Sequence, residues 1–231
     1  MLERIYTIPV NEAFDASMND HSLGCPFCRL HDKLESEALD HILGDAMMEP
    51  SVRMETNEKG FCRHHYEMML ARSNRLQLGL MLESHMIELR KSIDAGFISE
   101  LFTGKGRKAS GRIKTLSETC YVCDRVDEMM VHMLSNAALL WNTEKEFREK
   151  TAAQPHFCLT HYAAFLDAGR KNIKKKNYGE FADALKKLEL AAFDALAADV
   201  SFFCKKFDYR YADEPWGTAK DAPERAVKFL S

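Results

Sequence analysis

Apolar residues recur along this chain at the three- and four-residue intervals of helices rather than the two-residue interval of half-buried strands. Leu30, Leu34, Ala38 and Ile42 fall every fourth residue, while Val126, Met129, Met133, Ala137 and Leu140 step by three and four. Two longer stripes follow. One runs through Leu78, Leu82, Met86, Leu89, Ile93 and Phe97, the other through Tyr178, Phe181, Leu185, Leu188, Ala192, Leu196, Val200, Phe203 and Phe207. Each predicts a helix with one face turned to a core. Shorter striped segments pass through Met69 and Leu70 and through Phe165 and Leu166. Asp221-Ala-Pro-Glu reads as a helix start leading to Val227, Phe229 and Leu230. Only Ile5 to Val10 suggests extended chain. The expected fold class is all-α.

The stripes are arranged around a repeated motif. Cys25-Pro26-Phe27-Cys28 is followed, after 33 residues, by Phe61-Cys62-Arg63-His64-His65-Tyr66. Cys120-Tyr121-Val122-Cys123 is followed, after 34 residues, by Phe157-Cys158-Leu159-Thr160-His161-Tyr162. Matched positions are offset by 95 residues in the first motif and 96 in the second, the mark of an internal duplication. Two pseudo-repeated helical halves are therefore expected, at residues 1–104 and 113–231, the second carrying a C-terminal tail. The Gly-rich, basic stretch Thr103–Arg112 supplies a linker at 105–112. An anion-binding loop is the alternative there, but the Walker spacing is absent.

CxxC places a second thiolate one turn after the first, and CxxH does the same for an imidazole. Two such pairs supply the four donors of a tetrahedral zinc site. Grouped within each half, the expected sets are Cys25, Cys28, Cys62 and His65, and Cys120, Cys123, Cys158 and His161. His65 is preferred over His64 because it matches His161, whereas His64 matches Thr160. Two zinc ions per chain are expected, with iron or an iron–sulfur cluster as the minority alternative and thiol redox chemistry as a third. A redox CxxC would call for a βαβ context that is missing. Cys204 has no counterpart and reads as a small buried hydrophobe among Phe202, Phe203 and Phe207.

Composition narrows the function classes. The chain has 231 residues, 46% of them hydrophobic, enough for a substantial core. With 32 basic and 35 acidic residues the net charge is −3, which argues against bulk-charge binding of nucleic acid. No apolar run approaches the ~18–20 residues of a membrane helix. The start MLERIYTIPV lacks a secretory pattern, so a cytoplasmic, reducing setting is expected, in which seven cysteines call for a role other than disulfides.

Further polar candidates are fewer. Glu49, Arg53, Glu55 and Asn57 lie in the 47–60 segment, read as a loop that either is solvated or lines a polar pocket. His85 and His132 sit amid apolar neighbours and read as boundary residues. The many methionines suit ordinary core or an adaptable groove. Lys171–Asn177 reads as a solvated connector, and Tyr209, Tyr211 and Trp216 as a tail folded onto the core or a subunit contact.

The duplicated CxxC and FCxxHY motifs, with MEPSVRMETNEKGFCRHHY at 48–66, resemble an uncharacterised family of bacterial proteins, a domain of unknown function found chiefly in anaerobic Gram-positive bacteria. The resemblance covers nearly the whole chain and implies the architecture without an activity. Sites with all four donors filled are structural, so the expected function is that of a non-catalytic zinc protein binding a protein or small-molecule partner. The alternative is a metal- or thiol-dependent enzyme using the Arg53/Glu55 loop. Homo-oligomerisation stays open.

Overall fold

The three- and four-residue periodicity is realised throughout the computed structural model, which describes residues 4–103, 111, 114, 116 and 118–231. In chain order the helices are α1 Arg4–Asn19, α2 Pro26–Ile42, α3 Pro50–Lys59, α4 Arg63–Ala71, α5 Arg75–Thr103, α6 Tyr121–Thr143, α7 Lys145–Ala152, α8 Leu159–Asn172, α9 Lys175–Lys205 and α10 Ala222–Leu230. Short 3-10 turns occupy His21–Leu23, Asp45–Met48, Tyr209–Tyr211 and Gly217–Ala219. The described residues contain no strand, and the fold is all-α. Of the expected linker at 105–112 only Gly111 lies within the described residues.

The chain divides into two compact units. One combines Met1–Asp32 with Met130–Ser231, and the other is the continuous stretch Lys33–Met129. Each unit therefore draws on both halves of the sequence.

In the discontinuous unit the core is aromatic. Phe14, Phe27, Phe147, Phe157, Phe165 and Phe181 are all fully buried. Phe27 meets Phe14 and Phe165 edge-on at 5.4 and 4.9 Å, and Phe165 meets Phe181 edge-on at 5.0 Å, the geometry that ring quadrupoles favour. Ile5 to Val10, expected as extended chain, is helical. Its helix α1 buries Val10, Ala13, Phe14 and Ser17, a helical spacing, while Ile5 and Ile8 are exposed. Burial further along the helix outweighs the bond lost at Pro9. The Lys150 ammonium ties α7 to α1 through Asp15 at 2.8 Å and Asn11 at 2.8 Å.

The stripe on α9 is buried at Phe181 and Leu185, with Glu189 beside it, and continues half-buried through Leu188, Ala192, Leu196, Val200 and Phe203. The helix stops at Lys205, and the Lys206 ammonium fastens the turn that follows by donating to the carbonyls of Tyr211 and Glu214 at 2.7 and 2.6 Å. Phe207 lies beyond the helix and is exposed. Cys204, expected to be buried, is also exposed, since this last turn presents Phe203 rather than the thiol to Trp216. The tail then folds back as α10, held by Arg225 on Asp199 at 2.7 Å.

In the continuous unit, Leu39, Ile42, Leu43, Met47, Met69, Leu78, Met81 and Val126 form the core. Helix α5 is buried near its start, at Leu78 and Met81. Met86, placed on the core stripe by periodicity, is 67% exposed. The 47–60 segment is not a loop: a 3-10 turn leads into α3, with Pro50 in its first turn and Gly60 closing it at φ 64°. That left-handed backbone is open to glycine at little cost.

Gly169 of α8 lies under the ring of Phe181. A Cβ there would collide with the Cε1 and Cδ1 of a fully buried side chain. Gly169→Ala is expected to destabilise the protein by about 1–3 kcal/mol, as overpacking does. At roughly 2–4 °C per kcal/mol for this chain length the loss reads directly in a thermal denaturation midpoint.

Candidate metal centres

Each chemistry-bearing motif sits at a helix N-terminus. Cys25 immediately precedes α2, and Cys28 lies in its first turn. Cys120 and Cys123 stand in the same relation to α6. Cys62 and Cys158 are the N-caps of α4 and α8, with His65 and His161 one turn on. Free N–H groups and the helix dipole at all four places favour thiolate charge.

The structure gathers the eight residues into two groups: Cys25, Cys28, Cys158 and His161 in the discontinuous unit, and Cys62, His65, Cys120 and Cys123 in the continuous one. Both are Cys3His sets. The partition corrects the within-half grouping expected from the sequence, because each CxxC meets the CxxH of the other repeat. Within each group the donor atoms all lie within 4.8 Å of one another. His161 Nδ1 stands 3.9, 3.4 and 3.1 Å from the sulfurs of Cys25, Cys28 and Cys158. His65 Nδ1 stands 3.1, 3.2 and 3.5 Å from those of Cys62, Cys120 and Cys123. Both clusters are placed to hold a metal ion.

Local contacts explain the crossing. The carbonyl of Gly60 accepts from Tyr121 N–H at 3.0 Å, and that of Lys59 accepts from the Thr119 hydroxyl at 2.7 Å. Lys59 also pairs with Asp124 at 2.9 Å. The end of α3 is thus joined to the second CxxC. In the other unit Phe27, inside the first CxxC, packs on Phe157 and on the His161 ring, with centroids 5.6 and 5.9 Å apart.

Three sulfurs this close compete for charge. Hydrogen bonds from Cys25 and Cys28 hold the Cys158 thiol far below its ordinary range. Its hydrogen bond to Cys158 pushes Cys28 up to about 12, and burial pushes Cys25 well up. In the second cluster burial opposes ionisation of Cys120, but the hydrogen bond with His65 outweighs it and brings the thiol down to about 6. Burial and Cys120 together push Cys123 up. Burial disfavours the charged His65, yet its bonds with Cys120 and Cys62 raise it to about 9. Close-packed thiols that restrain one another's ionisation are the electrostatic setting a cation relieves.

Two acids that periodicity alone passed over flank the clusters. Glu35 of α2 is buried, and its Oε1 lies 2.9 Å from His65 Nε2. It falls four residues before Leu39 and seven before Ile42, an acid on an apolar stripe, which is the signal that finds it. Glu189 of α9 follows Phe181 and Leu185 at the same four-residue interval. Its Oε2 accepts from the Phe157 N–H at 3.1 Å, next to Cys158, while its buried Oε1 has no hydrogen-bond partner. His64, by contrast, is exposed, with its Nε2 3.6 Å from Glu35.

The other sequence candidates do not converge on a reactive centre. Glu55 pairs with Lys59 at 3.5 Å, Arg53 donates to the Met47 carbonyl at 3.4 Å, and Asn57 donates to Ser84 at 2.8 Å. Glu49 stands at the α3 N-cap without a side-chain capping bond. His132 stacks on Tyr6 at 5.1 Å, and His85 lines a cavity of about 260 Å³ beside Phe61 and Tyr66.

Burial raises the Glu189 carboxyl to about 7 from its ordinary 4.5. The unfolded chain releases this proton first, so the stability present below the ordinary value falls as pH rises through about 7. Glu189→Gln keeps an acceptor for Phe157 N–H and removes the buried charge. Its thermal midpoint is expected to exceed the parent's at about pH 8 and to converge with it below about pH 5.

Comparison with known proteins adds a single relationship. No curated protein and no solved structure matches the chain. The model of DUF6062, a family of unknown function, matches residues 1–231, and the chain belongs to that family.

Proposed function

We propose that this is a zinc protein whose eight cysteine and histidine donors form two structural Cys3His sites, and that it acts as a non-catalytic binding protein in the cytoplasm. The observation that carries the reading is the confinement of each donor set within 4.8 Å. A zinc tetrahedron with ordinary bond lengths has edges of about 3.8 Å between sulfurs and about 3.6 Å between sulfur and nitrogen. The Cys28–Cys158 and Cys62–Cys123 separations of 3.5 and 4.0 Å bracket the first value. An iron–sulfur cluster inserts several atoms between its cysteines, and donors this close leave room for one ion. Four protein donors fill the coordination shell, which supports a structural role.

Glu55 and Arg53 are each committed to other partners, which weighs against the enzyme reading. A ligand finds more support on the continuous unit, where Leu34, Ala38, Val126 and Met129 floor a cavity of about 240 Å³ edged by Glu37, His41 and Arg125. No helix among the described residues is long and apolar enough to cross a membrane.

Metal analysis of the purified chain is expected to give two zinc ions. Paired substitutions then read the crossing. Cys25→Ser with Cys158→Ser should leave one equivalent, because both residues belong to one site. Cys25→Ser with Cys62→Ser should leave none, and the reverse result would restore the within-half grouping. His65→Ala should lose close to one equivalent while His64→Ala keeps both. Loss of either metal should lower the thermal midpoint by several degrees, since binding free energy is folding free energy at such sites.

A further inference from the structure

The two clusters share a donor set but not an outer shell. His65 is 3% exposed and is engaged from both sides: Nδ1 faces three sulfurs, and Nε2 donates to a Glu35 carboxylate that is itself only 12% exposed. The half-buried His161 turns Nδ1 to its three sulfurs in the same way. Among the described residues, however, no protein group bonds its Nε2. The duplication explains the difference. An offset of 95 residues carries Glu35 onto Met130, whose thioether is at best a weak acceptor.

We infer that Glu35 is a positioning residue, acting through His65, that makes the Cys62/His65/Cys120/Cys123 centre the slow-exchanging one and leaves the Cys25/Cys28/Cys158/His161 centre the labile one. This rests on the metal reading above. A carboxylate on the remote nitrogen fixes the tautomer that presents Nδ1, holds the ring in the plane that points it at the ion, and raises its basicity as a ligand. Glu35 can do all three because it is anchored on α2, among Leu39, Ile42 and Leu43. At the other centre Phe27 restrains the His161 ring only by packing, which sets neither tautomer nor basicity. The near-identical donor sets therefore differ in how readily the imidazole lets go, the step that opens a tetrahedral site to a competing ligand.

The test is transfer of zinc from the full-length, zinc-loaded protein to a chromogenic chelator. Two phases of one equivalent each are expected. Cys28→Ser should delete the fast phase and Cys123→Ser the slow one, which assigns them. Glu35→Ala should accelerate the slow phase by about 10- to 100-fold, the usual effect of removing such a partner, and leave the fast phase unchanged. Glu35→Gln, which keeps shape and an acceptor oxygen, should recover part of that loss and serves the same comparison should the alanine variant not fold. Nitrogen-15 NMR should show His65 as a single Nε2-protonated tautomer in the parent and a shifted Nε2 signal in the variants, a change that loosened packing would not single out. Release of both ions at one rate, a slow phase indifferent to Glu35, or equal acceleration of both phases would overturn the inference. A chain that binds no metal would instead overturn the zinc reading itself.

Discussion

Each compact unit contains one four-donor group, and each group draws its two motifs from different halves of the sequence. The groups are nested. The inner one joins residues 62–65 to 120–123, and the outer one joins 25–28 to 158–161, so the outer closure encloses the inner. This nesting coincides with the two compact units, the continuous Lys33–Met129 and the flanks that complete the other. Chain entropy does not oppose it strongly. Closing a separation of 130 residues, as between Cys28 and Cys158, rather than the 34 between Cys28 and Cys62, costs only about 1 kcal/mol more, because the penalty grows with the logarithm of length. A few specific contacts suffice to reverse that preference.

Those contacts are visible beside each cluster. Lys59 and Gly60, at the end of α3, bind Thr119, Tyr121 and Asp124 around the second CxxC through two hydrogen bonds and an ion pair. Phe27, inside the first CxxC, belongs to the same aromatic core as Phe157 and Phe165. Each ligand pair is thus presented to its partner by packing that is already specific before any ion is considered. The helix N-termini add the common electrostatic feature: all six cysteines of the two groups stand at or just inside the start of a helix, where the dipole favours negative charge.

Much of this was legible in the sequence. Helical periodicity gave the class, and the duplicated spacing singled out all eight donors, including the choice of His65 over its neighbour. The partition was not legible, because a ligand motif declares what it can bind and not which motif it will face. The repeated motif spacing itself misled here: it suggests two self-contained halves, yet motifs can pair across halves without altering a single local signal. Periodicity also overstated the stripe on α5 and the last position of the one on α9, since a pattern shows which residues share a helix face but not where the cover of a neighbour, or the helix itself, stops. Met86 and Phe207 fall beyond that cover. Glu35 and Glu189 were hidden for the opposite reason, being acids on faces read for their apolar members.

The nesting also ranks the closures by loop length. The inner group can complete from a continuous stretch of chain, and its ligand segments are also joined by the Thr119 and Tyr121 hydrogen bonds to the end of α3. The discontinuous unit has no such route, because Phe14 of α1 and Phe27 of the first CxxC, besides meeting each other, pack on Phe147, Phe157 and Phe165, more than a hundred residues away in sequence. Contacts of long sequence separation form late, since loop closure must be paid before they reward it. Folding the inner unit shortens the effective loop the outer group must close, so the inner centre lowers the entropic cost of the outer one. The centre with the buried carboxylate behind its histidine is therefore also the one with the shorter loop to close, 61 residues between Cys62 and Cys123 against 130 between Cys28 and Cys158. In this chain the donor set with a carboxylate behind its histidine is the one that the other encloses in sequence.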